Sequence, residues 1–321
     1  MRAPAEPVPF RAPARVLAAL ATAAALLSLA AWAPTGPQSE EAMPPPAPPQ
    51  TPAYSRIDVV ENVAYDSATG GAVDVCVPPS RVMDPAVPTP RAAIISIHGG
   101  SWRSGDKANS VWRSVCQWLA SEGFVTFSVG YRLAPQHPFP AAIEDVRAAV
   151  RYLRSSAVVA KFSIDPKRIG AFGGSAGGNL AALLGVEGTG SLTTGSRVAA
   201  VAELSGPTDL TGDGVELPEF RPLVLSYLAC ASFEACPQAV RASPLFQVDD
   251  SDPPFFIGHS LAERIPLSQS TDFVAALSEH GIDTTLVTVP GRLHSIAMLS
   301  EKMRSRIASF FHATLDVRPL R

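Results

Sequence analysis

The sequence predicts an α/β fold: a mostly parallel, eight-stranded sheet with helices on both faces and a small insertion at about 207–244. Three observations carry this. Short β-rich runs alternate with helix-patterned segments from Ile57 onward. Glycine-rich turns fall directly after two of those runs. Beyond the N-terminal fifty or so residues, roughly 270 remain, enough for one α/β domain with a full core.

Taken in order, 57–65 and 72–77 read as strands joined by DSATGG, a turn composition. Residues 92–97 form a short apolar run that ends at His98. A helix pattern covers 111–121 and stops at Gly123. The next strand is 124–129. Ile143, Val146, Ala149, Val150 and Leu153 make an apolar stripe along a helix at 141–154. Strand 168–172 runs into a Gly-Gly-Ser turn and a helix at 176–185. Strands follow at 198–204, 253–258 and 284–289, with a helix at 268–280 between the last two. A helix at 295–313 closes the chain. The stretch 207–244, with its prolines, two cysteines and aromatics, breaks the rhythm and reads as an insertion over the sheet's carboxyl edge.

The N-terminus reads as a signal peptide or an N-terminal anchor at 1–33. Arg2, Arg11 and Arg15 precede an uncharged Ala/Leu-rich run from Val16 to Trp32. That run sits near the lower limit for crossing a bilayer, roughly 17 residues. A Pro-rich linker at 34–53 follows, leaving a catalytic domain at 54–321. The expected location is secreted, or anchored to a membrane and facing outward, with membrane contact only through an uncleaved N-terminal segment.

Four cysteines in an exported chain suggest disulfides. Cys230 and Cys236 flank a short segment and are expected to pair. Cys76 with Cys116 follows by elimination. No CxxC spacing marks a metal or redox site, so no metal is expected. The net charge of -3 and the lack of a basic face exclude a nucleic-acid partner.

Gly173, Gly174, Ser175, Ala176 and Gly177 spell G-x-S-x-G between a strand and a helix. A nucleophilic serine needs a sharp, strained turn with no bulk beside it, and the helix N-terminus adds a positive dipole. Ser175 is therefore the candidate nucleophile. Residues 98–102, HGGSW, follow an earlier strand. An oxyanion needs backbone N–H groups close by, and glycine permits that approach. Gly99, Gly100 and Ala176 are the expected donors, with Ser101 and Trp102 as candidate substrate contacts. His98 is expected to brace this loop.

The base should follow the nucleophile and the acid in the chain. Of the downstream histidines, His259, His280, His294 and His312, only His294 lies in a loop between the last strand and the last helix. Its imidazole would take the serine proton and return it to the leaving alcohol. The acid belongs after the strand ending near Gly258, where Glu263 is the one carboxylate. Asp252, before that strand, and Asp272, within the next helix, compete from less suitable positions.

These residues resemble the α/β-hydrolase superfamily, and more narrowly the hormone-sensitive-lipase-type and feruloyl-esterase-like carboxylesterases. The matching stretches are HGGSWRSGDK at 98–107, YRLAPQHPFPAA at 131–142, IDPKRI at 164–169, GGSAGGN at 173–179 and IPLSQS at 265–270. The resemblance implies the α/β-hydrolase fold and hydrolysis of carboxylic esters without a cofactor. Ser101 departs from a frequent third glycine, and Glu263 stands where such proteins usually carry aspartate.

The expected reaction is ester hydrolysis through an acyl-enzyme, on a small-molecule ester of short-chain or acetyl type. Trp102, Phe139 and the aromatics of 220–246 either line an acyl pocket or belong to the core. Two other classes fit the same turn. One is an acyltransferase, amidase or arylformamidase. The other is an exported binding protein that kept the fold without turnover.

Overall fold

The computed structural model describes residues 54, 57–79 and 90–315. The expected leader at 1–33 and linker at 34–53 lie outside the described residues. Among the described residues, no helix is long and apolar enough to cross a membrane.

The strands are β1 (Asp58–Asp66), β2 (Gly71–Val77), β3 (Arg91–Ile97), β4 (Val125–Val129), β5 (Ile164–Gly174), β6 (Ala200–Leu204), β7 (Phe255–Ser260) and β8 (Thr284–Val289). They form one sheet in the order β1-β2-β4-β3-β5-β6-β7-β8. β1 pairs with β2, and β2 with β4, in antiparallel fashion; the other pairs are parallel. This is the α/β-hydrolase fold.

Parallel strands need helical crossovers, which cover both faces. The alternation of each strand divides its side chains between two cores. Ala93, Ile95 and Ile97 of β3 join Phe127, Ala171, Val201 and Ile257 on one face. That face is covered by α2 (Ala141–Leu153), α3 (Ser156–Phe162), α4 (Ala176–Val186) and α7 (Ser268–Glu279). Ala92 and Ile94 join Phe172, Ala202 and Phe256 on the other, under α1 (Ser110–Ser121) and α8 (Glu301–Thr314).

Three segments differ from the sequence reading. A helix, α3, forms at Ser156–Phe162, where Val158 and Val159 give no helical signal. Ser155 starts it by accepting from the Val158 N–H. Strand β5 begins four residues earlier than expected, at Ile164, because Arg91 of β3 pairs with it there. The last helix is broken. Residues Ser295–Met298 form a separate 3-10 turn, and α8 starts afresh where the Ser300 hydroxyl accepts from the Met303 N–H. The insertion folds into α5 (Arg221–Leu228), α6 (Pro237–Arg241) and a 3-10 turn at Pro244–Phe246.

Both disulfides pair as anticipated: Cys76 of β2 with Cys116 of α1, and Cys230 with Cys236 within the insertion.

Candidate active site

Parallel register brings the site together. Ile97, the last residue of β3, sits beside Gly173 of β5, so the loop after β3 lies against the turn after β5. Ser175 occupies that turn with φ 57° and ψ -126°, a conformation that a non-glycine residue adopts only under constraint. Its N–H donates to the Leu204 carbonyl at 2.8 Å, and its carbonyl accepts from Asn179 at 3.0 Å.

The glycines around it are fixed by contact. A Cβ on Gly177 would stand 2.1 Å from the Ile97 carbonyl oxygen, and one on Gly173 would stand 2.0 Å from that of Gly177. One on Gly99 would meet the Gly174 carbonyl oxygen at 2.8 Å. Gly100 has φ 129°, and its carbonyl accepts from the N–H groups of Arg103 at 3.1 Å and Ser104 at 3.0 Å. Among the described residues, no backbone acceptor takes the N–H of Gly99, Gly100 or Ala176.

His98 stacks on Tyr131 with ring centroids 4.2 Å apart, and its Nδ1–H donates to the Gly99 carbonyl at 2.9 Å. Burial pushes the His98 imidazole below its ordinary range, which favours this neutral donor form. The Tyr131 hydroxyl donates to the His98 carbonyl at 2.8 Å.

His294 places Nε2 2.9 Å from Ser175 Oγ. Its Nδ1–H donates to Glu263 Oε2. The Glu263 side chain is fully buried. Its second oxygen, Oε1, accepts from the Ser205 hydroxyl at 2.6 Å and the Ser260 N–H at 3.2 Å. Burial pushes the Glu263 carboxyl up. The hydrogen bonds from His294 and Ser205, with the nearby imidazoles, outweigh it and hold the carboxyl below its ordinary range.

The competing groups lie elsewhere. Asp252 faces Arg197 at 3.4 Å, and Asp272 is on the exposed side of α7. His280 meets Asp250 at 2.6 Å, and His312 packs against Phe124. His259 is buried in β7, where its Nε2–H donates to the Ile265 carbonyl at 2.9 Å.

Ser101 is half-buried in the loop with φ 51°. Trp102 is not where a substrate contact is expected. It is only 1% exposed, stacks on Tyr227 at 4.5 Å and donates from Nε1 to Asn179 Oδ1 at 3.1 Å. Its ring belongs to the core, because the insertion supplies Tyr227 to cover it.

Sequence reasoning missed three groups. Asn179 receives Trp102 and donates to the carbonyls of Pro207 at 2.9 Å and Ala242 at 3.1 Å, tying the insertion to α4. Its place two residues after Gly177 was the available signal. Ser205, as above, reaches Glu263. Glu203 is fully buried, and burial pushes its carboxyl up to about 8 despite the N–H of Gly206 on its Oε2 at 2.6 Å. An acidic residue inside an apolar strand was the clue there.

Such an arrangement allows a proton to pass from a hydroxyl to an imidazole whose tautomer is set by a carboxylate.

A family model described as BD-FAE matches residues 82–277. The chain is 44% identical over 96 residues to mouse neutral cholesterol ester hydrolase 1, covering 30% of this chain and 24% of that protein. It is 31% identical over 205 residues to the esterase LipC of Mycobacterium tuberculosis, covering 59% of this chain and 48% of that protein. The chain thus spans between a quarter and a half of the length of these curated relatives. Among solved structures, a truncated carbohydrate esterase from gut microbiota superposes with a TM-score of 0.67 and 27% identity, over 81% of this chain and 96% of that one. The apo form of Thermogutta terrifontis esterase 2 gives a TM-score of 0.64 at 24% identity, over 85% of this chain and 98% of that one, a likeness of fold.

Proposed function

The chain belongs to the BD-FAE family, and from that premise we propose that it is a carboxylic ester hydrolase that works through an acyl-enzyme on Ser175. The observation that carries this reading is the run of contacts from Ser175 Oγ to His294 Nε2, at 2.9 Å, and from His294 Nδ1 to Glu263.

In this reading Ser175 Oγ attacks the ester carbonyl carbon as its proton moves to His294 Nε2. The carbonyl oxygen becomes an oxyanion held by the N–H groups of Gly99, Gly100 and Ala176. His294 passes the proton to the leaving alcohol as the C–O bond breaks. Water then attacks the acyl carbon, giving its proton to His294, which returns it to Ser175 Oγ as the acyl–Oγ bond breaks and the carboxylic acid leaves. Glu263 keeps the imidazole in one tautomer and offsets its charge once protonated. These steps call for no cofactor.

The substrate in this reading is a small-molecule ester with a short, acetyl-type acyl group. The name of the gut carbohydrate esterase, which shares this fold, is consistent with an acyl group carried on a sugar. Two disulfides among the described residues support export to an oxidising compartment. An expected domain plan of leader, linker and catalytic domain from about residue 54 belongs to the same proposal.

A fluorophosphonate probe and a panel of p-nitrophenyl acetate, butyrate and octanoate test it together. Labelling at Ser175 and kcat/KM falling with chain length are expected. An unlabelled protein that hydrolyses none of the three esters would overturn the reading.

A further inference from the structure

We propose that Ser205 is a positioning residue, whose single hydroxyl sets both the carboxylate of Glu263 and the backbone that carries His294. The proposal rests on the reading of Ser175 as the nucleophile.

The hydroxyl is used twice. Oγ–H donates to Glu263 Oε1 at 2.6 Å, the oxygen that His294 leaves free. The same Oγ accepts from the Ser295 N–H at 3.0 Å, next in chain to His294. A hydroxyl that donates once and accepts from a fixed amide has little rotational freedom left. It therefore ties the loop after β7 to the loop after β8.

Ser205 is itself held hard. It is fully buried, with φ 52°, a left-handed conformation that favours glycine. Its N–H donates to the Gly258 carbonyl at 2.9 Å. On one side, the Leu204 carbonyl accepts from the Ser175 N–H at 2.8 Å. On the other, the Gly206 N–H donates to Glu203 Oε2 at 2.6 Å. A Cβ on Gly206 would also lie 2.7 Å from the carbonyl carbon of Gly178 in α4. A serine kept at a glycine-type angle, where glycine would carry less strain, points to a use for its side chain.

The geometry suits the longer acid. Glutamate places its carboxylate farther from the backbone than aspartate does, with one more rotatable bond to fix. Ser205 and the Ser260 N–H fix Oε1, so Oε2 meets His294 without searching. The titratable groups facing this carboxylate are His294, His259, with Nε2 at 3.5 Å, and the buried Glu203.

The test is steady-state hydrolysis of p-nitrophenyl acetate by Ser205→Ala and Ser205→Gly, each also made in a Glu263→Gln background. Glycine suits the backbone angle, so Ser205→Gly separates lost hydroxyl from lost fold. Either substitution alone should lower kcat about tenfold or more, the size of one charged hydrogen bond, with KM little changed. The acidic limb of the kcat/KM profile should move to higher pH, because the carboxylate loses a donor that favours its charged form. In the Glu263→Gln background the same substitution should cost several-fold less than it does alone, the tether to the Ser295 N–H being the part that remains. Full activity in Ser205→Gly, or an equal loss with and without Glu263, would overturn the positioning role. Ser175→Ala run in parallel keeps the two claims apart. If it still turns over, the reading of the site fails. If it is dead while Ser205→Gly is at full rate, only the positioning role fails.

Discussion

Ser175 Oγ and His294 Nε2 lie 2.9 Å apart although 119 positions of chain separate them. The contact exists because β5 and β8 end on the same edge of one sheet. Replacing Ser175 by Ala removes the hydroxyl and leaves the turn, whose neighbours are glycines and main chain. Turnover of p-nitrophenyl acetate should fall by about 1,000-fold or more, with the far-UV circular dichroism unchanged. Substantial residual esterase activity in a folded Ser175→Ala protein would point to a different nucleophile.

Glu263 should behave as an orienting acid. Glu263→Gln keeps the shape but cannot accept the Nδ1–H in the same way, and kcat should drop by about 100- to 10,000-fold. Glu263→Asp should not restore it, because the shorter arm leaves either His294 or Ser205 unmet. Equal activity of Glu263→Asp and wild type would refute this.

The proposed oxyanion role of the 98–102 loop has its own test. A Cβ on Gly100 would collide with the Ser104 carbonyl oxygen at 2.0 Å, and φ 129° is strained for any L residue. Gly100→Ala should displace the Gly99 and Gly100 amides and lower kcat by about 100- to 1,000-fold. Measured kcat within threefold of wild type, on a correctly folded variant, would remove this loop from the reaction.

Much of this was legible in the sequence, for local reasons. The strands showed themselves because each is a short, apolar, β-rich run set between turn or helix signals. The turn at Ser175 showed itself because glycines must flank it within five positions. Glu263 could be chosen only as the one carboxylate in its loop. Ser205 was invisible: its partners lie 58 and 90 positions away, and a serine after a strand has no pattern. Trp102 was misplaced because the ring that covers it, Tyr227, comes from the insertion. The helix α3 was too short and too rich in valine to show a period.

Glu203 makes stability depend on pH. Burial, first of all, pushes its carboxyl up to about 8 in the fold from the ordinary value of 4.5. A raised acid contributes stability that is complete below the unfolded value and is lost as pH rises through the folded one. Wild-type Tm should therefore fall between about pH 4.5 and 8 on account of this group. Glu203→Gln should flatten that part of the profile. Parallel Tm curves for the two proteins across this window would exclude the effect.

The two disulfides should differ in weight. Cys76–Cys116 closes a separation of 40 residues, and Cys230–Cys236 one of 6. The chain-entropy relation gives about 4 kcal/mol for the first and about 2 kcal/mol for the second. Serine pairs at each site, compared by urea unfolding, check the order. A larger loss from the Cys230/Cys236 pair would contradict it.

Gly177 has a further consequence. The place its side chain would fill is held by the main chain at Ile97 and His98, where β3 passes into the 98–102 loop. No side chain fits that spot without moving the turn at Ser175 and the 98–102 loop together. Among related chains, variation is therefore expected away from this contact, and position 177 should stay glycine.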